Sequence, residues 1–294
     1  MLGPASTLPA APRPSVFWRG LDALLFSSLW LAGAAAAQTA ATFVTFQPRP
    51  AVDVSYRVVA LVFAATLLVY NLDAVLPFKH RQPAGASVRK AWQQRHRRAL
   101  ALLAAGAALV AGVLFLVDGW WRYLPSLLPL AALALLYSWP LVRWRGQRRA
   151  LREVPLLKVF LIAGVWSAIT VGLPTLWLHC PLADAAVLLA QRLCLVLALA
   201  IVFDIRDQSR DRAAGTRTFP VVLGLAGAKA VALACLAGAI GLGLERGMPP
   251  LWLGVVGASA AAVILLADER RSDYFFALLA DGVLLVPAVL YLVF

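Results

Sequence analysis

The sequence predicts an all-α integral membrane protein of nine transmembrane helices. Three observations carry that prediction. Hydrophobic residues fill 62% of the 294 positions and charged residues only 14%. The mean hydropathy of +0.81 is more apolar surface than a water-soluble domain can hide, because even a large folded chain leaves roughly a quarter of its surface wet. The apolar residues are also gathered into runs long enough to cross a hydrocarbon core of about 30 Å, at 21–44, 56–78, 98–117, 120–142, 155–178, 184–203, 219–243, 249–267 and 273–294. Finally, the basic residues alternate between the loops. With a cytoplasmic N-terminus, 21 of the 27 Lys and Arg residues fall in cytoplasmic segments, the asymmetry that orients membrane proteins.

Taken in order, residues 1–15 are rich in Pro and Ala, lack an apolar period and read as a disordered tail. Residues 16–294 read as one nine-helix domain. The piece Leu24–Gln38 ends in small residues, as a cleaved signal does, yet the apolar character continues to Phe46 and suits a spanning helix. Span two ends in Tyr70-Asn71-Leu72-Asp73 and opens into a basic loop; span six ends in Phe203-Asp204-Ile205-Arg206-Asp207 and opens into another. This weak repeat, four spans apart, predicts two four-helix units and one extra helix. The net charge of +13 would suit nucleic acid, but it lies in short loops between apolar spans, so membrane lipid is the expected partner and nucleic acid is not. Cys180, Cys194 and Cys235 form no Cys-x-x-Cys, and His80, His96 and His179 share no metal spacing, which argues against a disulfide framework or a zinc site.

The densest charge lies between Ile201 and Pro220, where seven charged residues interrupt the apolar sequence. Asp204, Asp207 and Asp211 are spaced i, i+3, i+7 and form one stripe on a helix, with Arg206 and Arg210 roughly on the other side. Stacked carboxylates repel, and a divalent cation with hard oxygen ligands reverses that cost. A solvated salt-bridge patch built on Asp207 and Arg210 has the same spacing.

The pattern Asp204-Ile-x-Asp207-x-x-x-Asp211, then Gly215-x-Arg217-Thr218-x-Pro220-x-x-x-Gly224, resembles the second aspartate-rich motif of the UbiA superfamily of intramembrane prenyltransferases, with Arg217 where that family usually has Lys. The first motif departs from the family. Asn71 matches, but the aspartate positions hold Leu72, Val75 and Lys79, and the one acid, Asp73, is shifted by one. Two residues apart on a helix, Asn71 and Asp73 point about 200° from each other and cannot face one ion unless the helix unwinds there. Tyr137-Ser-x-Pro140, Pro155-x-x-Lys158 and Trp166 resemble a divergent branch of the same superfamily.

The resemblance implies a UbiA-like bundle (4+4+1) in which Asp204, Asp207 and Asp211 hold Mg²⁺ and serve catalysis. It implies an isoprenyl diphosphate held by Asn71, Asp73, Lys158, Arg206, Arg210 and Arg217. Lys79, Arg81 and Arg89 have two readings, direct contact with the diphosphate or a positive-inside orientation signal. Lys158 has two readings, snorkelling outward or turning in to the diphosphate. Tyr137, Trp139, Trp144, Trp166 and Tyr274 suit either the walls of a cation-shielding cavity or interfacial anchoring. Arg192 and Asp281 lie inside spans, where charge is costly and functional by default. With Tyr137 they are candidates for an acceptor pocket, for pairing with each other, or for a water-filled recess. The implied reaction is prenyl transfer from an allylic diphosphate to a lipophilic acceptor of aromatic or quinone type, in a bacterial inner membrane. Terpene cyclisation, or non-catalytic binding of an isoprenoid lipid, would use the same residues. Transport fits less well, because the charges gather at one face and do not line a midplane path.

Overall fold

The computed structural model describes residues 15–46, 52–75, 87–138, 142–144, 147–149, 151, 154 and 156–293. The expected tail up to residue 14, together with Lys79, Arg81, Trp139, Pro140 and Pro155, lies outside the described residues. The helices are α1 (Val16–Phe26), α2 (Leu29–Phe46), α3 (Val52–Val75), α4 (Val88–Arg95), α5 (Arg97–Val117) and α6 (Leu124–Ser138). A two-strand hairpin, β1 (Val142–Trp144) paired antiparallel with β2 (Gln147–Arg149), precedes α7 (Leu157–Ser167). After these come α8 (Leu173–Trp177), α9 (Leu182–Arg206), α10 (Gln208–Ala213), α11 (Phe219–Glu245), α12 (Pro250–Leu266) and α13 (Val286–Val293).

Six helices are long and apolar enough to cross a membrane: Leu29–Phe46, Tyr56–Val75, Arg97–Val117, Leu157–Trp177, Ala183–Arg206 and Phe219–Glu245. The other three predicted runs form shorter helices, α6, α12 and the stretch Phe275–Leu290. Leu102, Leu109, Leu116 and Val117 on α5 are largely exposed. In water such a surface would be a liability; against lipid it costs nothing, while the helix satisfies its own backbone. The chain is a multi-pass integral membrane protein.

The spans alternate in direction, so the loops fall into two sets. One end of the bundle collects the basic segments, tied together by Leu156 N–H to the Arg217 carbonyl (3.0 Å) and Arg89 N–H to Asp273 (3.0 Å). The opposite end is tied by Arg57 to Asp118 at 3.1 Å and Arg246 to the Asp184 carbonyl at 3.0 Å. Helix α9 runs through the centre, packed on α7 and α11, and its Ala198, Ile201, Val202 and Ile205 lie in the largest buried cluster with Trp166 and Phe276.

Several predicted runs are broken. The first is split at Ser27–Ser28, with Ser28 in the left-handed region (φ 64°), so α1 folds back as a separate helix. Span five contains a π-helical turn, Ala168–Gly172, and the last span contains another, Phe275–Ala280. Such turns insert a residue into a helix and often mark functional sites. Helix α11 kinks at Gly224, whose φ of 71° and ψ of 175° belong to a region only glycine enters freely.

Candidate functional site

The second aspartate-rich segment sits where α9 ends. Asp207 caps both α9 and α10 with φ −96° and ψ 8°, a step out of helical geometry. Helix α10 closes with Gly215 at φ 69°, whose N–H donates to the Arg212 carbonyl while that of Thr216 donates to the Asp211 carbonyl. This is the paired closure that glycine favours at a helix C-terminus, and it turns the chain back to Arg217 and α11. The Arg217 carbonyl receives Leu156 N–H, and Leu156, itself at φ 60°, starts α7 so that Lys158 lies in its first turn.

Lys158 Nζ donates to Asp204 Oδ1 at 2.7 Å, and Asp204 is only 1% exposed. The ammonium also lies within electrostatic reach of Asp207 and Asp211. It therefore turns inward and does not snorkel. Arg206 does not lie opposite the carboxylates, as a continuous helix would place it. The step at Asp207 lets it reach its neighbour with Nε at 3.2 Å and Nη2 at 3.0 Å, while Arg210 adds Nη1 at 3.0 Å. Phe203 and Phe276 flank the Arg206 guanidinium at 5.1 and 5.7 Å, holding it by cation–π attraction. Burial pushes the Asp207 carboxyl up, but the Arg206 fork, Lys158 and Arg210 outweigh it and leave the group below its ordinary value. Asp211 goes the other way: burial raises it, Lys158 opposes, and Asp204 and Asp207 add repulsion. Its Oδ2 is buried without a hydrogen-bond partner among the described residues.

A second layer joins this cluster. Burial lowers the pKa of the Arg89 guanidinium on α4, and Arg206 lowers it further. Asp281, placed just after the π-helical turn, lies within reach of both Arg89 and Arg206. Tyr70 accepts from Trp166 Nε1 at 3.2 Å, and Tyr137 falls within reach of Tyr70 and Lys158. The structure thus gathers Asp204, Asp207, Asp211, Lys158, Arg206, Tyr137 and Asp281 at one end of the bundle. Arg210 and Arg217 sit at its exposed rim.

Asn71 is placed differently. Its Nδ2 donates to the Ser27 carbonyl at 2.9 Å and the Leu67 carbonyl at 2.8 Å, so it fastens the α1–α2 break to α3. Helix α3 is unbroken through this region, so Asn71 is buried while Asp73 is half-buried elsewhere on the helix. Arg192 lies apart from the cluster that holds Asp281. Arg192 lies about 18 Å from Asp204 by helical rise, bonded to the Gln38 carbonyl and Thr170. Tyr274 packs on Trp18 and Phe26 of α1 and donates to Asp22. Sequence reasoning missed Tyr70, although it sits beside Asn71, and Asp273, which receives Arg89 N–H at 3.0 Å.

Neither a family model nor a curated protein matches the chain. Two solved structures do. The apo structure of a UbiA homologue from Aeropyrum pernix K1 superposes with a TM-score of 0.61 at 19% identity, over 90% of this chain and 97% of that one. A digeranylgeranylglyceryl phosphate synthase superposes with a TM-score of 0.54 at 12% identity, over 94% and 99%. The chain shares the fold of these two structures. The UbiA-like bundle thus places the second aspartate-rich segment and Lys158 side by side at its basic end.

Magnesium is the cation that the resemblance implies. Among the described residues no three His, Cys, Asp or Glu side chains are assembled into a metal-binding group, because Lys158 holds Asp204 and the two arginines hold Asp207. The donor chemistry fits nonetheless. The oxygens are hard carboxylate oxygens, Asp211 keeps one of them unpartnered, and the place among the three acids already holds a cation, the Lys158 ammonium.

Proposed function

We propose that the protein is an intramembrane prenyltransferase that moves an isoprenyl group from an allylic diphosphate to a lipophilic acceptor, of aromatic or quinone type. The observation that carries this reading is the Lys158 ammonium set among Asp204, Asp207 and Asp211 in a UbiA-like bundle. Asp204, Asp207 and Asp211 would hold Mg²⁺, which when bound supplies positive charge against the diphosphate leaving group. Lys158 turns from Asp204 to a phosphate oxygen, a point charge on a flexible stem suited to that exchange. Arg206, clamped between two phenylalanines, and Arg89 face the same group, and Arg210 and Arg217 attract it at the rim. Asn71 contributes by fixing the α1–α2 corner, beside which Arg89 Nη2 donates to Ser28 at 3.4 Å. Loss of diphosphate leaves an allylic cation, and Tyr70, Tyr137 and Trp166 supply aromatic faces to shield it. The excess of basic residues at this end supports a cytoplasmic N-terminus and entry of the diphosphate from the cytoplasm.

The test is incubation of membranes containing the protein with labelled isoprenyl diphosphates of ten to twenty carbons and Mg²⁺. Diphosphate release with a prenylated product is the expected result, and Asp207→Ala should abolish it while inserting normally. Turnover retained in that variant would end the assignment.

A further inference from the structure

Arg192 is the second buried charge of α9, and it belongs to a different place from the aspartate cluster. It is only 6% exposed and lines a cavity of about 60 Å³ between α2, α9, α11, α12 and α13. The cavity lies in the half of the bundle away from the aspartates, since its wall includes Thr45 near the end of α2 and Met248 in the loop between α11 and α12. Most of the wall is apolar, from Ala41, Leu195, Leu236, Ile240 and Val256 among others.

The polar part is built with care. Gln38 is fully buried and lines the cavity, and its Nε2 donates to the Leu284 carbonyl, so its amide orientation is fixed by that bond. Its Oε1 is buried with no hydrogen-bond partner among the described residues. Arg192 Nη1 donates to the Gln38 carbonyl at 3.3 Å and to Thr170 Oγ1 at 3.4 Å. Thr170 belongs to the π-helical turn of span five, and Thr42 donates to its carbonyl at 2.8 Å. A helix irregularity, of a kind frequent at functional sites, thus sits against a buried guanidinium, a group costly to hold inside a membrane.

We infer that this cavity binds the head of an anionic amphiphile, a compact oxyanion on an apolar body. The planar fork of Arg192 matches a carboxylate or phosphate edge. The orphaned Gln38 oxygen accepts from a hydroxyl of the head or from a bridging water, and about 60 Å³ is room for roughly a carboxylate and one water. The apolar wall takes the first carbons of the tail. This site is separate from the prenyl-transfer reading and stands without it.

The test uses the full chain in nanodiscs of phosphatidylcholine with three radiolabelled probes: dodecanoate, dodecyl phosphate and dodecanol. Saturable binding of an anionic probe at least tenfold tighter than dodecanol is expected. Preference for dodecanoate points to a lipophilic acid, and preference for dodecyl phosphate to a phospholipid head. Arg192→Met should abolish the difference between anionic and neutral probes. If that variant does not fold, Arg192→Lys, which keeps charge and loses the fork, should weaken anionic binding at least tenfold. Equal binding of all three probes, unchanged binding in the variant that folds, or displacement of the probe by inorganic pyrophosphate would overturn the inference, the last because it would put the probe among the aspartates.

Discussion

Lys158 and Asp204 meet across the α7–α9 interface at 2.7 Å, with the carboxylate almost wholly buried and the lysine side chain 21% exposed. Removing one partner strands the other's charge, and breaking a buried pair costs about 3–5 kcal/mol where replacing both costs little. Lys158→Met should therefore lower the thermal unfolding temperature strongly, and Lys158→Met with Asp204→Asn should recover most of that loss. Turnover of an isoprenyl diphosphate should fall at least a hundredfold in both. Recovery of turnover along with stability would show that the pair is structural alone.

The acids of one motif should titrate with opposite signs. Asp207 lies below its ordinary pKa because Arg206, Lys158 and Arg210 overcome its burial. Its ionisation stabilises the fold above the unfolded pKa, and that gain disappears as pH falls through the folded value. Asp211 lies above its ordinary value, chiefly through burial, so the fold loses stability as pH rises from the unfolded pKa through the folded one. Asp207→Asn should thus unfold at a lower temperature than the wild type near pH 7, with the gap closing in acid. Asp211→Asn should unfold at a higher temperature near pH 7 and converge with the wild type in acid, while turnover drops. Thermal melts across pH check both; a destabilised Asp211→Asn at neutral pH would contradict the assignment.

Much of this layout was legible in the sequence, and the exceptions have physical causes. The order of the apolar runs and the basic end follow from hydropathy, and the acidic segment follows from a motif with many fixed positions; the inward turn of Lys158 onto Asp204 is one of two directions that the sequence leaves open. Helical spacing puts Arg206 opposite the carboxylates because it assumes a continuous helix, and the backbone steps out of helical geometry at Asp207. For Asp281 the sequence leaves open an acceptor pocket, pairing with Arg192 or a water-filled recess; it lies within reach of Arg89 and Arg206, after a π-helical turn that no residue pattern announces. The split at Ser28 was equally invisible, since a left-handed serine carries no glycine signature.

Asn71 tests whether the reduced first motif is structural. Both its N–H bonds go to backbone carbonyls, one of them 44 residues away at Ser27. Asn71→Leu leaves the Ser27 carbonyl without that donor, at a cost of about 1–3 kcal/mol for an unsatisfied buried group. Asn71→Asp should do no better, because a carboxylate cannot donate. Both variants should melt earlier than the wild type and lose turnover together. Full stability with lost turnover would instead put Asn71 in contact with the diphosphate.

The charge around the site argues for a divalent cation in turnover. Among the described residues, Asp204, Asp207, Asp211, Asp273 and Asp281 stand against Lys158, Arg89, Arg206 and Arg210, so the cluster is close to neutral before substrate arrives. A diphosphate brings further negative charge into a poorly solvated place, where repulsion is only weakly screened. Chelation with EDTA should therefore suppress diphosphate release, and added Mg²⁺ should restore it. Asp204→Asn and Asp211→Asn should each raise the Mg²⁺ concentration for half-maximal release at least tenfold, whereas Arg210→Gln, at the exposed rim, should mainly weaken diphosphate capture in low salt. Release that proceeds equally well in EDTA would mean that Lys158, Arg89 and Arg206 carry the leaving group's charge by themselves.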